Sequence, residues 1–176
     1  MALTLLRHTT PLVADGICYG RMDMDVASSF ASEVRAILPR LSRPAAIVSS
    51  PLKRCRILAD AIAEKMGLPV QLEARIREMD FGAWEGRAWS DLPRHELDLW
   101  ASDFLNARPH GGESVAMLRA RVMDALHDYQ AAGSDHLLVT HSGVIKAALA
   151  RGDTVEHFSA SPEFGAAIPL PENWPT

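Results

Sequence analysis

Three short apolar runs in the sequence each end in side chains suited to binding or transferring an anion. Residues 2–6 run into Arg7-His8-Thr9, residues 45–48 into Ser49-Ser50-Pro51-Leu52-Lys53-Arg54, and residues 136–140 into His141-Ser142-Gly143. Arg presents a planar fork that meets two phosphate oxygens at once. A helix opening at Ser142-Gly143 would add unpaired N–H groups and its positive end, and Gly143 would let backbone approach a ligand closely. A His flanked by guanidinium groups is disfavoured as imidazolium, and a neutral imidazole lone pair can attack phosphorus. The chemistry indicated is phosphoryl transfer, with Arg side chains and the turn at Ser142-Gly143 as anion-binding groups and a neutral histidine, His8 or His141, as the nucleophile. Such a reaction also needs an acid for the leaving group. Glu78, in Arg77-Glu78-Met79-Asp80-Phe81-Gly82-Ala83-Trp84-Glu85-Gly86, is the candidate.

These residues converge only if their runs are neighbouring strands of one sheet. Ala45-Ala46-Ile47-Val48 and Leu137-Leu138-Val139 are continuously apolar, as in strands buried on both faces. Weaker strands are expected at 69–72 and 166–170, the last as a weak or antiparallel edge. Helices are expected over 51–66, stopped by Gly67, and over 114–132, where Val115, Leu118, Val122, Leu126 and Tyr129 recur at steps of three and four and Gly133 closes the run. Shorter ones are expected at 29–38 and 143–151. The alternation predicts an α/β fold, a three-layer α/β/α sandwich with a mostly parallel central sheet. In such sheets ligands bind beyond the carboxyl ends of the strands, which is where all three motifs fall. A single domain over 1–176 is expected, with an inserted segment at about 81–110, helical over 91–104, that carries three of the four tryptophans. Trp84, Trp89 and Trp100 read as packing residues, one of which could wall a leaving-group pocket. The tail 172–176 reads as frayed.

Composition narrows the partners. With 18 Lys and Arg against 22 Asp and Glu, the net charge of -4 argues against non-specific nucleic-acid binding. Two cysteines in no metal-like spacing fit a reducing compartment, and no signal peptide or membrane-length apolar run occurs. A cytoplasmic protein without membrane contact, a monomer or homodimer, is expected. The other five histidines (His95, His110, His127, His136, His157) read as surface groups. Neither a zincin-type His pair nor a P-loop is present, and no metal or other cofactor is expected.

Arg7-His8-Thr9, Ser49 to Arg54, Glu78 to Gly86, Gly111-Gly112-Glu113-Ser114 and Val139 to Gly143 follow one another in an order that resembles the histidine phosphatase superfamily, the branch containing cofactor-dependent phosphoglycerate mutases. The resemblance implies a phosphoglycerate mutase-like fold and a metal-independent phosphomonoesterase. His8 would form a phosphohistidine and Glu78 would protonate the leaving alcohol, then help activate water. Arg7, Arg54 and His141 would hold the phosphoryl oxygens. Thr9 and the segment Cys18-Tyr19-Gly20-Arg21 are similar to α-ribazole phosphatases, which dephosphorylate a nucleotide-like intermediate of cobalamin lower-ligand assembly. They make Thr9, Tyr19, Gly20 and Arg21 candidate substrate contacts. Glu113 reads equally as a helix-start charge and as a site residue. A broad small-molecule phosphatase, a mutase-like enzyme and a silent phosphate-binding scaffold are the alternatives. The presence of both His8 and Glu78 weighs against the last.

Overall fold

The computed structural model describes residues 2–171 and Trp174. Five strands, β1 (Leu3–Arg7), β2 (Ala46–Ser49), β3 (Val70–Leu72), β4 (His136–Thr140) and β5 (Ala167–Pro169), form one sheet in the order β3-β2-β4-β1-β5. The first four are parallel and β5 is antiparallel to β1. The helices are α1 (Phe30–Ile37), α2 (Lys53–Met66), α3 (Arg94–Ser102), α4 (Val115–Ala131) and α5 (Ser142–Leu149).

Alternation along the strands separates two cores. Leu5, Val48 and Leu138 pack with α4 and α5, whereas Leu6, Ile47, Leu137 and Val139 face α1 and α2. Every residue of β4 is buried, which is why its sequence is apolar without alternation. This is the three-layer arrangement the sequence predicts, with a mostly parallel sheet.

The helix ends differ from the sequence reading in explicable ways. α2 starts at Lys53 rather than at residue 51, because Pro51 lies in a bend between strand and helix. Gly67 ends it in the left-handed region at φ +63°, as its residue type allows. The run 91–104 contracts to Arg94–Ser102. α4 starts where Ser114 Oγ accepts a hydrogen bond from the Met117 amide at 3.2 Å, an N-cap.

Two of the five histidines expected at the surface are buried. His110 packs against Trp84, with ring centroids 4.8 Å apart, and its Nδ1 accepts from the Gly112 amide. His136 lies against Tyr129 and its Nδ1 donates to the Ser134 carbonyl. Both find aromatic and backbone partners that no local spacing announces. Of the tail, residues 172, 173, 175 and 176 lie outside the described residues. Trp174 does not fray: it is buried, and its indole N–H donates to the Ala148 carbonyl at 2.7 Å. No helix among the described residues is long and apolar enough to cross a membrane.

Candidate active site

The strand register aligns the motifs. Arg7 pairs with Thr140 and Ser49 with Val139. The ladder runs one step further on each side, as the His8 amide donates to the Thr140 carbonyl and the Ser50 amide to the Val139 carbonyl. His8, Ser50 and His141 therefore sit side by side just beyond three adjacent strand ends. The first turn of α2 adds Arg54.

His8 is 1% exposed. Its Nδ1 lies 2.7 Å from the Thr9 carbonyl oxygen, which can only accept, so Nδ1 carries the hydrogen and Nε2 the lone pair of the neutral ring. Arg54 Nε donates to that Nε2 at 3.3 Å, while its two other nitrogens donate to the carbonyls of Met22 and Gly20, each at 2.8 Å. Burial first, then the Arg54 and Arg7 guanidinium groups, push the His8 pKa down to about 3, against the opposing Thr9 bond. His141 stands edge-on to His8 with ring centroids 5.3 Å apart. Its Nε2 is 2.8 Å from Ser50 Oγ and 3.4 Å from Cys55 Sγ. Burial, Arg54 and His8 hold it well below the ordinary histidine value.

Arg7 is half-buried, and its guanidinium lies 3.8 Å over the Phe164 ring and donates to the Pro162 carbonyl at 2.7 Å. Arg7 Nε and Thr9 Oγ1 are buried without a hydrogen-bond partner in the structure. Tyr19 lies under the Arg54 guanidinium at 5.5 Å. The structure thus gathers Arg7, His8, Thr9, Tyr19, Arg54 and His141 into one buried, cationic cradle.

Glu78 stands at the edge of that cradle. One carboxylate oxygen accepts from the Met79 amide at 2.9 Å and the other from the Gly143 amide at 3.1 Å. A carboxylate from a distant segment thereby satisfies an open N–H of α5, an end that His141 does not cap with its side chain. Gly143 makes a close backbone approach to Glu78; a Cβ there would collide with Glu78 Oε1. Ser142 lies beside it, where α5 meets a cavity.

The expected substrate contacts separate. Gly20 is buried, its carbonyl is taken by Arg54, and a Cβ on it would run into the Met79 carbonyl. The Arg21 guanidinium faces Asp80 at 3.4 Å and Glu113 at 3.7 Å, so its charge is engaged by acids. Glu113 is buried and pairs with Arg121 at 2.6 Å. Glu78 also lines a cavity of about 640 Å³ that none of Arg7, His8, Arg54 or His141 lines; its walls include Phe81, Trp100, Phe104, Phe158 and Val155, with Lys146 and Glu156 as its other charged groups.

Sequence reasoning allowed one tryptophan to wall a pocket, and Trp100 lines this cavity, but it missed Ser50 as the partner of His141, Phe164 as the platform under Arg7, and the phenylalanines beside Trp100. Ser50 lay in plain view inside its motif. Phe158 and Phe164 belong to a segment with no periodicity, where no signal existed. Among the described residues, no group of three His, Cys, Asp or Glu side chains is placed to hold a metal ion.

The sequence pattern of the histidine phosphatase superfamily (branch 1) matches residues 3–160. The chain is 32% identical to the glucosyl-3-phosphoglycerate phosphatase of Mycolicibacterium vanbaalenii, over 98% of this chain and 77% of that protein. It is 30% identical to the adenosylcobalamin/alpha-ribazole phosphatase of Salmonella typhimurium, over 74% of this chain and 69% of that protein. The crystal structure of a phosphoglycerate mutase from Thermus thermophilus superposes with a TM-score of 0.75 at 28% identity, covering 99% of this chain and 94% of that chain. The chain belongs to the histidine phosphatase superfamily and is a phosphoric monoester hydrolase with a phosphoglycerate mutase-like fold.

Proposed function

We propose that the enzyme works without metal through a phosphohistidine on His8, and that its substrate is α-ribazole 5′-phosphate. The observation that carries the covalent step is the His8 ring: Nδ1 is committed to the Thr9 carbonyl, so Nε2 is the nitrogen with the lone pair, held only by a long 3.3 Å hydrogen bond from Arg54 Nε that opens as phosphorus approaches and frees that N–H for a phosphoryl oxygen. The Nε2 lone pair attacks phosphorus. The bond from phosphorus to the ester oxygen breaks, and its electron pair leaves with that oxygen, which takes a proton from Glu78. In the second half, Glu78 accepts a proton from water as the water oxygen attacks phosphorus, and the P–N bond breaks to return the lone pair to His8. Arg7, Arg54 and His141 stabilise the charge spread over the transferring oxygens. Arg7 Nε and Thr9 Oγ1, buried and without a hydrogen-bond partner in the structure, are donors available to an anionic group in the cradle.

The finer assignment is supported by the likeness of Thr9 and Cys18-Tyr19-Gly20-Arg21 to α-ribazole phosphatases and by the Salmonella relative. The aromatic cavity beside Glu78 also suits a flat heterocycle better than a glycerate or serine leaving group. A cytoplasmic location follows from the same assignment.

Mixing enzyme with substrate and quenching should trap acid-labile phosphate on the wild-type protein and none on His8→Ala. A stoichiometric label on His8→Ala would overturn the nucleophile. Turnover of α-ribazole 5′-phosphate should exceed that of 3-phosphoglycerate and p-nitrophenyl phosphate. Comparable rates on all three would leave a broad-specificity phosphatase, and preference for glucosyl-3-phosphoglycerate would reassign the substrate. EDTA should leave the rate unchanged.

A further inference from the structure

Glu78 sits on irregular backbone, between a short 3₁₀ turn (Ala74–Ile76) and the turn at Gly82. An acid that must meet a leaving oxygen to within about 0.5 Å needs more than two amide bonds to its carboxylate. The missing support comes from Arg121 on α4. Its Nη1 donates to the carbonyls of Arg75 at 2.6 Å and Arg77 at 2.7 Å, and its Nη2 to the carbonyl of Glu78 itself at 3.0 Å. The remaining two N–H groups form a bidentate pair with Glu113, at 2.6 and 2.7 Å. All five guanidinium donors are therefore used, which no Lys could reproduce.

Glu113 fastens the other side of the acid. Its amide donates to the Asp80 carbonyl at 2.8 Å, and its carboxylate accepts from the Asp80 amide at 3.4 Å. The Gly-Gly of Gly111-Gly112-Glu113-Ser114 lets the two segments touch: a Cβ on Gly112 would collide with the Asp80 carbonyl, and one on Gly82 with the His110 carbonyl. Residues 75–80 are thus clamped before and after Glu78 to Glu113 and Arg121, at the start and in the second turn of one helix.

We propose that Arg121, oriented by Glu113, is a positioning residue for the reaction: it sets the main chain that aims the Glu78 carboxyl at the leaving oxygen. This rests on the reading of Glu78 as the acid. A positioning role predicts a loss that grows with leaving-group basicity, because only a poor leaving group needs the proton. A purely structural role predicts equal slowing of all substrates.

The test compares p-nitrophenyl phosphate with phenyl phosphate for wild type, Arg121→Met, Arg121→Lys, Glu113→Gln and Glu78→Gln, each first checked for cooperative unfolding. Both Arg121 variants should lower kcat on phenyl phosphate about tenfold or more beyond their effect on p-nitrophenyl phosphate, with KM little changed. Glu113→Gln, which keeps an acceptor and perturbs the fold least, should show the same bias more weakly and decides the matter if the Arg121 variants do not fold. Equal slowing of both substrates, or a rise in KM alone, overturns the proposal while leaving the acid intact if Glu78→Gln still discriminates. A Glu78→Gln enzyme that slows both equally removes the acid assignment and the proposal with it.

Discussion

The two sides of Glu78 are built on opposite principles. Toward His8 the walls are charged and directional: Arg54 spends its three nitrogens on His8 and two carbonyls, and His8 and His141 each have ring nitrogens committed to polar partners. Toward Trp100, Phe104 and Phe158 the walls are apolar, and shape and area rather than hydrogen bonds set what fits. Such a division suits an enzyme that must treat one group, the phosphoryl, with fixed electrostatics and another, the leaving half, by adaptable packing. It also says that damage on the two sides should look different.

The largest contrast should come from Arg54→Ala. The change removes the cation proposed to stabilise the transition state, the contact to His8 Nε2 and the tie to the Gly20–Met22 segment, so kcat should fall about a thousandfold on every substrate alike. A loss that depends on the leaving group would break the division. The charged side should also be the acid-sensitive one. Folded His8, with a pKa near 3, stays neutral where the unfolded histidine, near 6.5, takes up a proton. Its contribution is complete above about pH 6.5 and is lost progressively as pH falls toward 3. By pH 5 this amounts to about 2 kcal/mol, read as a drop in urea-unfolding stability that His8→Asn should reduce. Equal acid sensitivity in both proteins would argue against a neutral buried His8. Smallest is the apolar side: Trp100→Ala and Phe104→Ala should raise KM for aromatic substrates about tenfold and leave that for small aliphatic phosphates almost unchanged. Equal effects on both classes would mean that the cavity does not hold the leaving half.

The same division governs how much could be read from sequence. Arg7, His8, Arg54 and His141 follow short apolar runs that read as buried strands, so their meeting at one sheet edge is a matter of chain order and strand ends. Glu78 was reachable by its motif alone, since its backbone has no periodicity to place it. Arg121 carried a faint signal. It sits three residues after Leu118 and four before Ala125, both buried, so a charge inside the apolar stripe of α4 should have a buried partner. Nothing local distinguishes Phe104, Phe158 or Phe164 from ordinary core residues.

Residue type and order alone therefore determined the layered α/β fold and the chemistry of the cradle, because strand burial and strand ends are local properties of the chain. Tertiary structure alone decided that Glu78 closes the start of α5, that Arg21 turns to Asp80 and Glu113, and that aromatic rings from 81 to 158 wall one cavity. Those outcomes depend on contacts between segments tens of residues apart, whose free energies no local pattern encodes.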